Sequence, residues 1–393
     1  MAYALPDLAL QDLVGPAMRA SEALVRLDER VARSPVGIGF VERSHFADAV
    51  SALWLDGELV HVEDLVLHDA HMDLRAPTHE LTRAHEILRL RRQVLANRPD
   101  WALGREGLPA LCGRFAATGP AMRQSEVHSS EAESAGDGQD LEREEDQGLE
   151  DARLSAEFAA LDAALGRANA ALDAARKPTG ETSPDPAGVT VRGPSTFGAG
   201  ADRNPLLYDG DWDEQERLAE WKEVVAKVDG FPAMLQGAVA FDAWNAIAPL
   251  QHAPWLGRLL VAALLRQAGT TTGQLAALYV GARTIGRDRR QSRDRTTRLI
   301  AFLEGAYEAA AAGLREHDRL MLARMQMERR LKGRRSTSRL PGLIELVLSR
   351  PLVSSGMIEK QLGVTTAGAL NLVGELDLRE ITGRGRYRAW AVI

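Results

Sequence analysis

The chain has 393 residues, which at about 150 residues per domain makes two or three structural units. Hydrophobic residues make up 45% and charged residues 26%, the balance of an ordinary globular protein rather than a disordered one. The longest clean apolar stretch, Leu259 to Leu265, has 7 residues, far short of the about 20 that a membrane-spanning helix needs.

The net charge of −7 is unevenly spread. Gly119 to Asp151 holds 11 acidic and 2 basic residues, while Gly281 to Leu340 holds 16 basic and 7 acidic. That split predicts an acidic tether and a half that meets a polyanion. A single cysteine, Cys112, and no secretory pattern at the start predict a reducing cytoplasm. Aromatic residues are scarce, and Ala, Leu, Arg and Glu favour helix. The expected fold class is therefore mainly α.

Residues 1–116 read as an N-terminal helical domain. A helix is predicted from Pro6-Asp7, carrying Leu10, Leu13, Val14, Met18, Leu24 and Leu27, with a break at Ser34-Pro35-Val36-Gly37. The apolar pattern resumes from Phe46 to Leu67. Thr78 is placed to cap a helix that runs to Pro99, with Glu80 just inside its start. Residues 117–151 are predicted to be a disordered acidic linker. Residues 152–176 form an amphipathic helix with Leu154, Phe158, Leu161, Leu165, Ala168 and Leu172 at heptad-like spacing. That seam either packs on its own chain or joins two copies. Residues 177–210 read as a flexible linker punctuated by proline. Residues 211–332 return to a helical core, with helices expected over Phe241–Ala248, Leu256–Ala268, Leu275–Val280 and Thr296–Leu331.

The chemistry is concentrated in residues 340–393. Leu340, Leu343, Ile344, Val347 and Leu348 define a first helix stopped by Pro351. Ser354 or Ser355 caps a second helix with Ile358 and Leu362, and Gly363-Val364 makes the turn. Thr365 or Thr366 caps a third helix with Leu370, Val373 and Leu376. That order is the helix-turn-helix signature. The alternating Ile381 to Ile393, with Gly383-Arg384-Gly385-Arg386 at its tip, reads as a short β-hairpin, the wing of a winged helix. Double-stranded DNA is the expected partner, because a helix fits the major groove and its first residues reach base edges. Thr365, Thr366 and Asn371 are the candidates for bases. Arg384, Arg386 and Arg388 on the wing, with Arg334 and Arg335 just before the domain, are the candidates for phosphates. The arginine-rich stretch from Arg283 to Arg298 points the same way. The structural alternative is that this domain is a protein-interaction module.

The layout resembles the Fic (filamentation-induced-by-cAMP) superfamily in the version with a C-terminal winged helix. Three stretches carry the resemblance: Ser51 to Leu67, Trp255 to Leu265, and Phe302-Leu-Glu-Gly-Ala306 followed by a long helix. It implies a helical Fic-like core at 211–332. The chain departs from the catalytic loop of those enzymes. Aligning Gly257-Arg258 to the end of that loop puts Ile247 at the histidine, Gln251 at the acidic position and Pro254-Trp255 at a Gly-Arg pair. The core therefore reads as degenerate and not catalytic, with no catalytic residue assigned. The chain is also similar to a group of bacterial helix-turn-helix proteins that carry a domain of unknown function.

Two other readings remain open in the sequence. One is a divergent nucleotidyl-transferring enzyme, using His252 or the cluster His61, His68, His71, His79 and His85. The other is an adaptor, or a homodimer formed through the 152–176 helix or the helical core. No P-loop or HExxH is present, and Gly37-x-Gly39 lacks a third glycine, so neither cofactor nor metal is expected. Met321, Met325 and Met327 read as packing residues.

Overall fold

A computed structural model describes residue 3 and residues 9–72, 76–113, 212–331, 338–381 and 388–392. The expected acidic linker, the 152–176 helix and the proline-rich linker lie outside the described residues. So do Arg334, Arg335, Arg384 and Arg386. Residues 3–113 and 212–392 belong to one unit.

Helix α1 (Leu10–Ala32) is broken from α2 (Gly37–Asp56) by the turn at Ser34-Pro35. The left-handed Gly57 ends α2, and α3 (Val62–Asp69) follows. Helix α4 (His79–Ala96) starts where the Thr78 hydroxyl accepts from the Leu81 N–H at 3.2 Å, as the sequence predicts. Helix α5 (Gly107–Leu111) precedes the buried Cys112. After residue 212 come α6 (Glu214–Lys227), α7 (Ala233–Ile247) and α8 (Leu256–Gln267). Trp221 and Trp244 meet edge to face at 5.2 Å between α6 and α7.

The helix expected over Leu275–Val280 is shorter and later, α9 (Leu278–Ala282). The reason lies in α1 and α2. The buried Asp28 carboxylate accepts from Thr272 N (2.9 Å), Thr272 Oγ1 (2.7 Å) and Gly273 N (3.2 Å). Buried Asp48 accepts from Tyr279 N (2.8 Å) and Val280 N (3.1 Å). Backbone donors held by side chains keep their segment out of the helix until Asp48 caps α9. On the other side Asp48 pairs with the buried Arg91 of α4, which also donates to the Leu275 carbonyl at 3.3 Å.

Helix α10 (Arg287–Arg290) leads into α11 (Arg295–Leu331), 37 residues long and so about 55 Å end to end. It packs along α1 and crosses α9. A Cβ at Gly281 would lie 1.8 Å from the Gly305 carbonyl oxygen, so only glycine permits that crossing. The C-terminal region is α12 (Leu340–Ser349), β1 (Val353–Ser354), α13 (Ser355–Leu362), α14 (Thr366–Leu376), β2 (Arg379–Glu380) and β3 (Ala389–Ala391). The sheet is antiparallel in the order β1-β3-β2, with Val353 opposite Trp390 and Glu380 opposite Trp390. The chain is mainly α with a small hairpin, as the sequence predicts. Among the described residues, no helix is long and apolar enough to cross a membrane.

Replacing Arg91 by Met leaves the fully buried Asp48 carboxylate without its counter-charge. Losing one partner of such a pair costs about 3–5 kcal/mol, so R91M is expected to shift the urea midpoint strongly at constant m-value. A midpoint equal to that of the wild type would remove this pair from the foundation of the fold.

The pH dependence has a definite sign. Burial, with Arg91 and Arg92 nearby, holds His45 well below its usual value, and burial with His68 nearby lowers His85. His45 stays neutral in the fold and His85 takes up its proton less readily than usual, while the unfolded chain takes up both protons below about pH 6.5. Stability is therefore full above that pH and falls as acid is added. Melting temperature should decline from pH 7 to pH 5, and the His45→Phe variant should flatten that slope.

Candidate nucleic-acid interface

Local chemistry builds the C-terminal reader. The Ser354 hydroxyl caps α13, accepting from Met357 N at 3.3 Å. Gly363, at φ 63° and ψ 45°, ends α13 in the left-handed region, where a Cβ adds about 1–2 kcal/mol. Thr365 then caps α14, accepting from Gly368 N at 3.2 Å. Ala369, Val373 and Leu376 bury one face of α14 against α12 and α13.

The opposite face of α14 is open. Thr365, Thr366, Ala367 and Asn371 are exposed. Two of the predicted base-reading residues, Thr366 and Asn371, thus project from the free face of the helix. Thr365 stands beside them with its oxygen engaged by the cap. Small residues at 367 and 374 keep this face low, which suits close approach to a groove. Arg388, the one wing arginine among the described residues, is held by Glu380 at 2.8 Å and lies over the Trp390 ring at 5.4 Å. Arg379, exposed and opening β2 directly after α14, was missed in the sequence. Its signal was a basic residue two places before the alternating hairpin pattern.

The reader is fixed to the rest of the unit through guanidinium groups. Arg43 of α2 donates to the carbonyls of Val347 (3.4 Å) and Arg350. Arg319 of α11 donates to the Val392 carbonyl at 2.6 Å, and Arg330 reaches the Leu376 carbonyl and the Asp377 carboxylate. Arg350 bonds Asp69 at 2.8 Å beside Arg92 at 2.6 Å. Burial opposes it, but the Arg92 and Arg350 guanidiniums hold the Asp69 carboxyl below the usual carboxylate range. Phe46 lies under both cations, at 5.3 and 5.5 Å.

The Arg283–Arg298 stretch is engaged within the chain. Arg289 bonds Glu304 at 2.6 Å, Arg298 bonds Asp242 at 2.7 Å and Arg290 donates to the Ile285 carbonyl at 2.9 Å. Arg283 lies over Trp54. Arg289 and Arg298 are paired with carboxylates inside the molecule, so the polyanion contact expected there gains little from those two. The loop 248–255 between α7 and α8 sits where the resemblance places a catalytic loop. Just after it, in the first turn of α8, Gly257 packs on the Trp244 indole, with no room for a Cβ, and the Arg258 guanidinium stacks 4.2 Å from Phe241. His252 contacts Glu214 at 3.1 Å. His68 and His85 meet ring to ring at 4.7 Å. Among the described residues, no group of three His, Cys, Asp or Glu side chains is placed to hold a metal.

This architecture defines a mainly helical protein that ends in a helix-turn-helix. Residues 340–393 match a family described as an HTH DNA binding domain, and residues 206–332 match one described as a protein of unknown function (DUF1612). The chain is 49% identical over 395 residues to uncharacterized protein y4cF of Sinorhizobium fredii, covering 100% of both chains. It belongs to the family of that relative.

The Thr365 cap is testable apart from any partner. T365A is expected to lose about 1 kcal/mol of stability, whereas T366A stays within about 0.5 kcal/mol of wild type. Equal losses in urea unfolding would contradict the assignment of the cap.

Proposed function

We propose that the protein is a cytoplasmic transcriptional regulator whose residues 340–393 act as a winged helix on double-stranded DNA. The carrying observation is the free face of α14, where Thr366 and Asn371 stand exposed in a region matched to a DNA-binding family. In this reading α14 enters the major groove. Asn371 pairs with an adenine edge, and Thr365 and Thr366 bond base edges or the adjacent phosphates. Arg379 and Arg388, with Arg384, Arg386, Arg334 and Arg335, neutralise the flanking backbone. The body is a scaffold that aims the reader.

The Fic-like character of the core belongs to this proposal as a degenerate scaffold. The stacked Arg258 and the packed Gly257 support a structural rather than a phosphate-holding loop. One contact favours a second reading, nucleotidyl transfer, because Glu214 orients the His252 ring. Label transfer from ATP that disappears in the His252→Ala variant would replace the scaffold reading. Self-association through the 152–176 helix or the core is also proposed, and sedimentation across protein concentrations tests it.

The DNA reading makes a graded prediction. Binding to selected duplexes is expected to weaken in N371A by about 1–3 kcal/mol and to relax at one adenine. R384A and R386A should weaken binding to all sequences alike, each lowering the salt slope by about 0.9. Unchanged affinity and slope in all three variants would refute the interface.

A further inference from the structure

We propose that the cavity between α1, α2, α11 and the loop before α9 is a binding site for a small apolar monocarboxylate, and that its occupancy loosens the grip on the reader. The cavity measures about 330 Å³, within the range of small-molecule sites, about 300–1,000 Å³. Its walls are apolar, formed among others by Leu27, Phe40, Val62, Val280 and Pro351. A polar end interrupts them. Arg43 and Arg319 both line the cavity and share one carboxylate, Glu316, at 3.0 Å from Arg43 Nε and 2.8 Å from Arg319 Nε. Two cations against one anion leave one surplus positive charge among aliphatic walls. In such a setting an anion is attracted far more strongly than in water.

Gln274 belongs to the same wall and is 2% exposed. The Asp28 bonds to Thr272 and Gly273 hold the loop that carries it.

These features select the ligand class. The walls need an apolar body, and the surplus charge needs one carboxylate. An amine would meet two guanidiniums, and an alcohol would leave the charge unmatched. A polyphosphate brings more charge than the site offsets.

The polar end is also the clasp of the reader. Arg43 donates to the Val347 and Arg350 carbonyls, Arg319 donates to the Val392 carbonyl, and Pro351 of the wall lies next to β1. A carboxylate bound to these guanidiniums competes with the carbonyls that anchor α12 and the end of β3. The site itself stands whether or not the reader binds DNA.

Calorimetry on the full chain tests the site with hexanoate, octanoate and phenylacetate, against octylamine and octan-1-ol. At least one acid should bind one to one, with the amine and the alcohol about tenfold weaker or more. A312W fills the cavity and A47F narrows it from an exposed position, and both should remove binding while keeping the melting transition. R319Q should weaken the acid and not the alcohol. No binding by any of the three acids, equal binding of the amine, or wild-type binding in both filled variants overturns the site. Hydrogen exchange tests the coupling: the bound acid should speed exchange in residues 340–353 and 388–392. Unchanged or slower exchange there overturns the loosening.

Discussion

Two aspartates of the N-terminal helices gripping one loop of the later chain are the constraint on which the rest depends. Asp28 and Asp48 offer their oxygens to backbone N–H groups between residues 272 and 280. A carboxylate buried this deeply is tolerated only when donors surround it, and Arg91 completes the set for Asp48. With the loop held by these bonds, α9 is placed so that Gly281 crosses Gly305 at backbone contact. That crossing sets where α11 runs, and α11 carries Arg319 and Arg330 to the C-terminal reader. The cavity exists because the same loop, α1, α2 and α11 meet at a corner they cannot fill.

The reader is held differently from the body. Its own interior is apolar, with Leu343, Ile344, Val347, Ile358 and Trp390 buried. Its attachment mixes a close helix contact, where a Cβ on Gly39 of α2 would lie 2.9 Å from the Leu348 carbonyl, with guanidinium-to-carbonyl bonds. Such bonds are directional and depend on where the guanidinium points, unlike apolar contact. The free face of α14 is thereby presented outward while the rest of the domain is anchored.

The reader was the most legible part of the sequence because its signals are local. Ser354, Gly363 and Thr365 each act within three or four residues of their own position, and their residue types state their roles. Thr78 was legible for the same reason. Asp48 and Arg91 were not, since the backbone groups they serve lie 184 to 232 residues away. The arginines from Arg283 to Arg298 were misleading for the same physical reason: Asp242, which binds Arg298, is 56 residues off. Thr365 shows a subtler limit. A cap and a base contact ask for the same hydroxyl, so composition cannot say which of Thr365 and Thr366 caps the helix, and the geometry gives the cap to Thr365. The cavity left no sequence trace, because its lining comes from six separate stretches.

The unit is also assembled from two lengths of chain, 3–113 and 212–392, that interlock through α1 on α11 and through the aspartates just described. None of those contacts requires the intervening peptide bonds. Closing a connection of about a hundred residues costs entropy, and that cost grows only slowly with its length. The two lengths, made as separate polypeptides, therefore have the surfaces to find each other and reconstitute the molecule, so a nick between them need not silence it.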